Sequence, residues 1–118
     1  MKKHLLCLTF LTFLISCTNN TVKFEVINRT DHEVQDFIIV PSGDGNLDYH
    51  SIKPNKSLDY RLDLDGLPED EGSYTLSFQK NGKIMQEQFG HYSNGIPNVG
   101  TMRIEILPNT IRITPVSE

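Results

Sequence analysis

The stretch SYTLSFQKNGKIMQEQF, residues 73–89, carries the strongest structural signal in the sequence. Its first half alternates large apolar and polar residues, the period-two pattern of a β-strand with one buried face, at Tyr74, Leu76 and Phe78. Asn81 and Gly82 follow, and this pair favours the positive φ angles of a type I′ turn. We therefore predict a β-hairpin with its turn at this Asn-Gly pair.

Short apolar or alternating segments recur on both sides of the hairpin, and none has the period of an α-helix. They are VKFEVIN (22–28), EVQDFIIVP (33–41), LDYHSI (47–52), SLDYRLDL (57–64), TMRIEIL (101–107) and TIRITPV (110–116). The continuous apolar run at residues 37–40 indicates a strand that is covered on both faces or carries a bulge. The expected inward-facing side chains are Val22, Phe24, Val26, Met102, Ile104, Ile106, Ile111 and Ile113. About seven or eight short strands predict an all-β fold, a single antiparallel β-sandwich.

The motif DEGSYTL, residues 70–76, is similar to the DxGxYxC motif of immunoglobulin-like domains. That resemblance implies that Tyr74 caps a corner between two sheets, with Leu76 in place of the cysteine. The chain also has no tryptophan. Small bacterial sandwich modules of the immunoglobulin-like and transthyretin-like kind often lack both residues, so the resemblance implies an architecture and not an activity.

The N-terminal residues have the layout of a secretory signal. Lys2 and Lys3 give a charged start, residues 5–15 are mostly apolar, and the small residue Ser16 stands directly before Cys17. The apolar run is much shorter than the roughly 20 residues that a membrane-spanning helix needs. We predict that residues 1–16 are a cleaved signal peptide.

Residues 14–17, LISC, resemble the lipobox of bacterial lipoproteins. The resemblance implies that the thiol of Cys17 receives a diacylglycerol, that cleavage occurs before it, and that the new N-terminus is acylated, typically with palmitate. Two or three acyl chains make membrane anchoring effectively permanent. Thr18 is not the aspartate that retains enteric lipoproteins at the inner membrane, which implies the outer membrane, facing the periplasm. An ordinary signal peptide, or a core element that ends in cysteine, is the alternative.

The predicted organisation is a signal at 1–16, a lipidated cysteine with a short tether at 17–21, and a sandwich at 22–118. Cys7 leaves with the signal and Cys17 carries lipid, so no thiol remains for a disulfide, a metal or a nucleophile. The net charge is −4, and loss of Lys2 and Lys3 makes it −6. Nucleic-acid binding needs a basic patch, and the sequence shows no basic run, so we exclude nucleic acid as a partner.

Two acidic segments are candidates for a calcium site, since hard cations prefer carboxylate and carbonyl oxygens. The first, DLDGLPEDEG, contains Asp63, Asp65, Glu69, Asp70 and Glu71. Its spacing fits no EF-hand, and a solvated acidic turn is the preferred interpretation. The second, DGNLD at 44–48, opens like an EF-hand but has Tyr49 where glycine is needed and Asn55 at the twelfth position. We predict no cofactor, with Ca²⁺ at the first segment as the alternative.

The segment FGHYSNG, residues 89–95, is the candidate binding loop. It offers an aromatic pair, His91 and Tyr92, together with Asn94, on a flexible connection of the kind that often carries binding sites. The connection over 90–100 is also long for a hairpin. Alternatively, Tyr92 covers the end of the core.

Catalytic constellations are missing from the sequence. His32, His50 and His91 are far apart, and neither GxSxG nor HExxH occurs, so we predict that the protein is not an enzyme. We predict a lipid-anchored binding module of the cell envelope whose loops at one end of the sandwich meet a protein, glycan or ion. The alternatives are a small periplasmic inhibitor or immunity-type protein that uses its acidic charge, and a calcium-dependent structural component of an envelope assembly.

Overall fold

The computed structural model describes residues 20–41, 48–65 and 71–116. Within these ranges the chain forms nine β-strands and no helix: β1 Thr21–Asn28, β2 Val34–Pro41, β3 His50–Ile52, β4 Ser57–Asp63, β5 Glu71–Lys80, β6 Lys83–Ser93, β7 Ile96–Pro97, β8 Thr101–Ile106 and β9 Ile111–Pro115. The predicted all-β class is confirmed. The described residues accordingly include no helix long and apolar enough to cross a membrane.

The strands form two sheets that pack face to face. The first sheet has the order β4-β1-β8-β9, and the second has the order β3-β2-β5-β6-β7. Phe24 of the first sheet meets Tyr74 of the second with ring centroids 5.3 Å apart, and Tyr60 meets Phe37 at 5.9 Å. The predicted β-sandwich is therefore confirmed.

One ladder of the first sheet departs from the purely antiparallel prediction. β1 and β8 are parallel, with Lys23 beside Thr101 and Asn28 beside Ile106. Parallel neighbours need a long crossover connection. Here the chain supplies it by passing through both sheets before it returns as β8.

The period-two pattern correctly identifies the core. The predicted inward residues of β1, β5 and β8 are all buried, with exposed fractions between 0% and 6%. Burying such side chains contributes about 25 cal/mol for each Å² of apolar surface removed from water. Ile111 and Ile113 pack against this core but are only half-buried, because β9 is the edge of its sheet.

The hairpin prediction is confirmed in its turn chemistry. Asn81 and Gly82 have φ angles of 52° and 78°, and Lys80 pairs with Lys83 across the turn. Of the two alternatives for the apolar run of β2, cover on both faces or a bulge, a bulge is present. Gln35 pairs with Gln79 and Ile38 with Ser77, so β2 contains one extra residue beside Asp36, whose φ is 53°.

The prediction of one long loop over residues 90–100 is wrong. Strand β6 continues to Ser93, and a second Asn-Gly turn, with φ angles of 51° at Asn94 and 76° at Gly95, leads into β7. Gly90, at φ 73°, lies at a bulge in β6, where the register with β5 shifts by one residue. The strand continues beyond this bulge. The bulge explains why the alternating pattern is lost there although the strand continues.

Candidate functional site

A cavity of about 460 Å³ lies at the end of the sandwich where β1 stops. We call this cavity the end cavity, and this end of the molecule the far end. Three connections line it: the β1–β2 loop at 29–33, the β5–β6 turn at 81–82, and the β8–β9 turn at 107–110. Asn20 lies at the opposite, near end, because β1 runs between them over about 26 Å at 3.3 Å per residue.

Asn28, the last residue of β1, holds the β1–β2 loop in place. Its side chain is fully buried, and its Nδ2 donates to the carbonyl oxygens of His32 and Ile52, both at 2.9 Å. Its Oδ1 accepts from the backbone N–H of Thr30 at 3.1 Å and from the Thr30 hydroxyl at 2.7 Å. Every side-chain donor and acceptor of this amide is used, so the loop that lines the end cavity has a defined conformation.

The backbone of Asn28 ties a fourth connection to the far end. Its N–H donates to the carbonyl of Lys56 at 2.9 Å, and its carbonyl accepts from the N–H of Asn55 at 2.8 Å. These bonds place the β3–β4 turn, with Lys53 and Lys56, beside the end of β1. The period-two pattern puts Asn28 on the inward face after three apolar residues, and this buried polar position is the signal that the sequence analysis missed.

Glu105 fixes an arginine at the rim of the end cavity. Its Oε2 accepts from Arg29 Nε at 2.7 Å, and its Oε1 accepts from Arg112 Nε at 2.9 Å. The hydrogen bonds from Arg112 and Arg29 lower the pKa of Glu105 to about 2. The same contact raises the pKa of Arg112. The side chain of Glu105 is only 12% exposed. Its two guanidinium partners outweigh the effect of burial and keep the carboxylate ionised, and the carboxylate in turn orients both arginines.

Two lysines from the β5–β6 hairpin complete the lining. Lys80 and Lys83 are register partners, so their side chains project to the same side of the sheet. The Nζ of Lys80 donates to the carbonyl of Pro108 at 3.0 Å, which links the hairpin to the β8–β9 turn. Sequence analysis missed these lysines, although the Asn-Gly turn between them predicts that they face each other.

The far end is the basic end of an acidic molecule. The basic side chains on or beside its connections are Arg29, Lys53, Lys56, Lys80, Lys83 and Arg112, and they outnumber the acidic Asp31, Glu33 and Glu105 at this end. Described acidic residues of the 63–72 segment lie instead at the near end, where Asp63 pairs with Thr21 and Asp65 bonds to Asn20. The sequence has no basic run, but the fold brings basic residues that are dispersed in sequence to one end of the sandwich.

The predicted binding loop does not present its aromatic pair. Tyr92 is fully buried, with its ring centroid 5.5 Å from that of Tyr74, so it covers the core as in the alternative interpretation. His91 is exposed, and Asn94 is a turn residue at φ 51°. These residues lie at the near end, since Ser93 pairs with Glu71, and they are not part of the end cavity.

The calcium candidates are only partly described. Asp63 Oδ1 accepts from the backbone N–H of Asp65 at 3.0 Å, and Asp65 Oδ1 accepts from Asn20 Nδ2 at 3.1 Å. Glu71 is exposed at the start of β5, whereas Glu69 and Asp70 lie outside the described residues. Across residues 20–41, 48–65 and 71–116, no group of three His, Cys, Asp or Glu side chains is placed to hold a metal ion.

The role that the DxGxYxL resemblance implies for Tyr74 is not observed. Tyr74 lies within β5 in the centre of the core, and its buried hydroxyl has no hydrogen-bond partner among the described residues. A tyrosine corner requires this hydroxyl to bond to the backbone. Burial raises the pKa of Tyr74 to about 12, and the neighbouring Tyr92 adds to the shift. Tyr74 is therefore a core residue and not a corner cap.

The lipobox and Cys17 lie outside the described residues, as do Asp44 and Asn46 of the second acidic segment. A scan against models of known protein families finds no match, and a search among curated proteins finds none with significant similarity. The geometry and charge of the far end are therefore the features of the molecule that indicate a function.

Proposed function

We propose that this protein is a lipid-anchored binding module of the bacterial cell envelope, and that its ligand meets the far end of the sandwich. The observation that carries this proposal is the position of the end cavity. It lies at the opposite end of β1 from Asn20, the described residue closest in sequence to Cys17. A lipid on Cys17 would hold the near end at the membrane and direct the end cavity away from it.

The short tether supports this orientation. Only residues 18–20 separate Cys17 from the start of β1, and Asn20 is already bonded to Asp65 and to the backbone of Leu64. A tether of this length holds the near end close to the lipid headgroups. We further propose, from the lipobox resemblance and Thr18, that the membrane is the outer membrane and that the domain faces the periplasm.

A binding role, and not a catalytic one, is the function that the far end supports. Its loops are held by Asn28, Glu105 and the Lys80–Pro108 bond, which is a rigid frame for recognising a ligand. The rival idea of an acidic inhibitor requires an acidic contact surface. The far end is basic, and the described acidic residues of the 63–72 segment lie beside the proposed anchor.

Membrane fractionation tests the anchor. We expect wild-type protein to fractionate with membranes and to incorporate labelled palmitate, and we expect Cys17→Ser to do neither. A Cys17→Ser protein that remains with membranes at full yield would refute the proposed anchor.

Site-specific crosslinking tests the orientation. A photoreactive residue in place of exposed Asn109, in the β8–β9 turn, should capture an envelope ligand in living cells. The same residue in place of exposed Glu71, at the near end, is the matched control and should capture lipid or nothing. Equal capture of one ligand from both positions would contradict a binding site at the far end.

A further inference from the structure

We propose that the end cavity is a binding site for an acidic sugar, in which Lys80, Lys83 and Arg29 recognise a carboxylate or phosphate group. This inference names the ligand class of the site described above. It rests on the proposed function in one respect, which is that the ligand is encountered in the cell envelope. Binding itself requires the end cavity and not the lipid, so the two proposals fail separately.

The first support is a pair of like charges that has no counter-charge among the described residues. Lys80 and Lys83 are direct partners in the β5–β6 ladder, and like charges in this position destabilise a sheet. In the described part of the chain neither lysine forms an ion pair, and Lys80 contacts only the neutral carbonyl of Pro108. An anion between the two ammonium groups would remove the repulsion and provide the missing counter-charge.

The second support is the way Arg29 is held. Its Nε is bonded to Glu105, while half of its side chain remains exposed at the rim of the end cavity. A guanidinium group has five N–H donors in a fixed fork, so the bond through Nε leaves donors for a second oxyanion. Because Glu105 orients the arginine before any ligand arrives, less side-chain entropy is lost on binding.

The remaining lining favours a sugar over a bare ion. Asn81 and Asn109 are exposed and carry amide groups that donate to and accept from hydroxyl groups, and Met85 gives an apolar contact surface. The cavity volume of about 460 Å³ is that of a small-ligand site, for which the typical range is about 300–1,000 Å³. Asp31 is the one acidic residue among the described residues of the lining, so the lysines and Arg29 outnumber it.

Further basic residues lie at the far end, outside the lining of the end cavity. Lys53 and Lys56 lie on the β3–β4 turn that Asn28 ties to this end, and Arg112 lies beside Glu105. A positive end on a molecule with a net charge of −4 attracts acidic polymers and orients them toward that end. We therefore expect an acidic glycan chain to bind more tightly than one acidic sugar residue.

Calorimetry on the full chain in nonionic detergent tests the proposal. The probes are oligogalacturonate, a sugar phosphate, neutral maltotetraose and a tetraglutamate peptide. We expect both acidic sugars to bind, neutral sugar not to bind, and affinity to fall as salt is raised from about 50 to about 300 mM. Binding of the peptide more tightly than either acidic sugar would overturn the assignment to a sugar and identify an acidic peptide ligand.

Charge variants at two places on the molecule locate the site. Lys80→Gln with Lys83→Gln should weaken acidic-sugar binding by about tenfold or more, since two charge-assisted contacts are lost. Lys23→Gln removes one charge on the outer face of the first sheet and should leave the affinity unchanged. Equal weakening by Lys23→Gln would show attraction by overall charge only and would overturn the proposal.

Asp31→Asn gives a test that unfolding cannot imitate. Removing the single acid of the lining should strengthen acidic-sugar binding, whereas a damaged fold would weaken it. Unchanged or weaker binding, with an unaltered melting temperature, would overturn the proposal. Cys17→Ser separates the two hypotheses, because it should abolish membrane anchoring and leave sugar binding intact.

Discussion

Two buried tyrosines, Tyr60 and Tyr74, differ in the hydrogen bonding of their hydroxyl groups. The Tyr60 hydroxyl lies 3.2 Å from both the N–H and the carbonyl oxygen of Ile39, which satisfy it as donor and acceptor. In the described part of the chain the Tyr74 hydroxyl has no such partner. Desolvation by burial raises the pKa of both groups, and for Tyr60 the bond to Ile39 partly opposes this rise.

Phenylalanine substitutions should therefore have opposite effects. We expect Tyr74→Phe to increase the free energy of unfolding by about 1 kcal/mol. The substitution removes a buried hydroxyl that loses its hydrogen bonds to water on folding and gains none from the described part of the protein. Tyr60→Phe should decrease it by about 1–2 kcal/mol, because Ile39 loses its partner. Urea denaturation of both variants measures these changes, and a loss of stability in Tyr74→Phe would contradict the assignment of its hydroxyl as unsatisfied.

At the scale of elements, the bulge in β6 shapes the second sheet. Gly72 pairs with Tyr92 and Tyr74 pairs with Phe89, so β6 has one residue more than β5 in this interval. The extra residue turns the Tyr92 side chain into the core after the exposed stretch that precedes it. Gly90 allows this turn because its φ is 73° and because Tyr74 packs directly on its backbone.

Alanine substitutions at Gly82 and Gly90 separate the cost of a positive φ angle from the cost of a steric clash between an added Cβ and Tyr74. A Cβ at Gly90 would lie 2.5 Å from Tyr74 Cδ2 and 2.7 Å from Cε2, whereas a Cβ at Gly82 meets nothing within 4 Å. Since both glycines have positive φ, we expect Gly82→Ala to cost about 1 kcal/mol and Gly90→Ala about 3 kcal/mol or more. Chemical denaturation compares them, and equal losses would show that the contact with Tyr74 does not matter.

At the scale of the whole molecule, Glu105 joins three strands of the first sheet. It lies on β8 and binds Arg29, which follows β1, and Arg112 of β9. At the far end, the pair with Arg29 links β8 to the end of β1, its parallel neighbour. The pair with Arg112 links β8 to the edge strand β9. They therefore connect the stability of the fold to the shape of the end cavity.

This cluster predicts a pH dependence of stability. The pKa of Glu105 is about 2 in the folded protein and 4.5 without its partners, so folding favours the ionised form. The contribution of Glu105 to the free energy of unfolding is complete above about pH 4.5. It is lost as the pH falls from about 4.5 toward 2. Glu105→Gln should therefore melt below wild type at neutral pH, and the difference should shrink on acidification.

Melting curves from neutral to strongly acidic pH measure that difference. Glu87→Gln replaces an exposed carboxylate on β6 and controls for the change in overall charge. A gap between wild type and Glu105→Gln that stays constant down to about pH 2 would contradict the ion-pair assignment.

The strands and the first hairpin follow from local sequence. Alternation at residues 22–28 and 73–80 selects a buried face, and Asn81-Gly82 selects a turn, because both depend on backbone preferences and side-chain periods over a few residues. The same chemistry was present at Asn94-Gly95. The exposed run in β6 and the bulge at Gly90 hid it, since they break the alternation on which recognition of a strand depends.

The candidate site was far less predictable than the strands. Short-range patterns were sufficient for the strands, the core face and the turn at residues 81–82, since each residue there responds to its immediate neighbours. Long-range contacts were needed for the parallel pairing of β1 with β8, the inward position of Tyr92 and the basic far end. Arg29, Lys53, Lys80 and Arg112 lie at the same end because the two packed sheets bring distant connections together, and no local pattern encodes that arrangement.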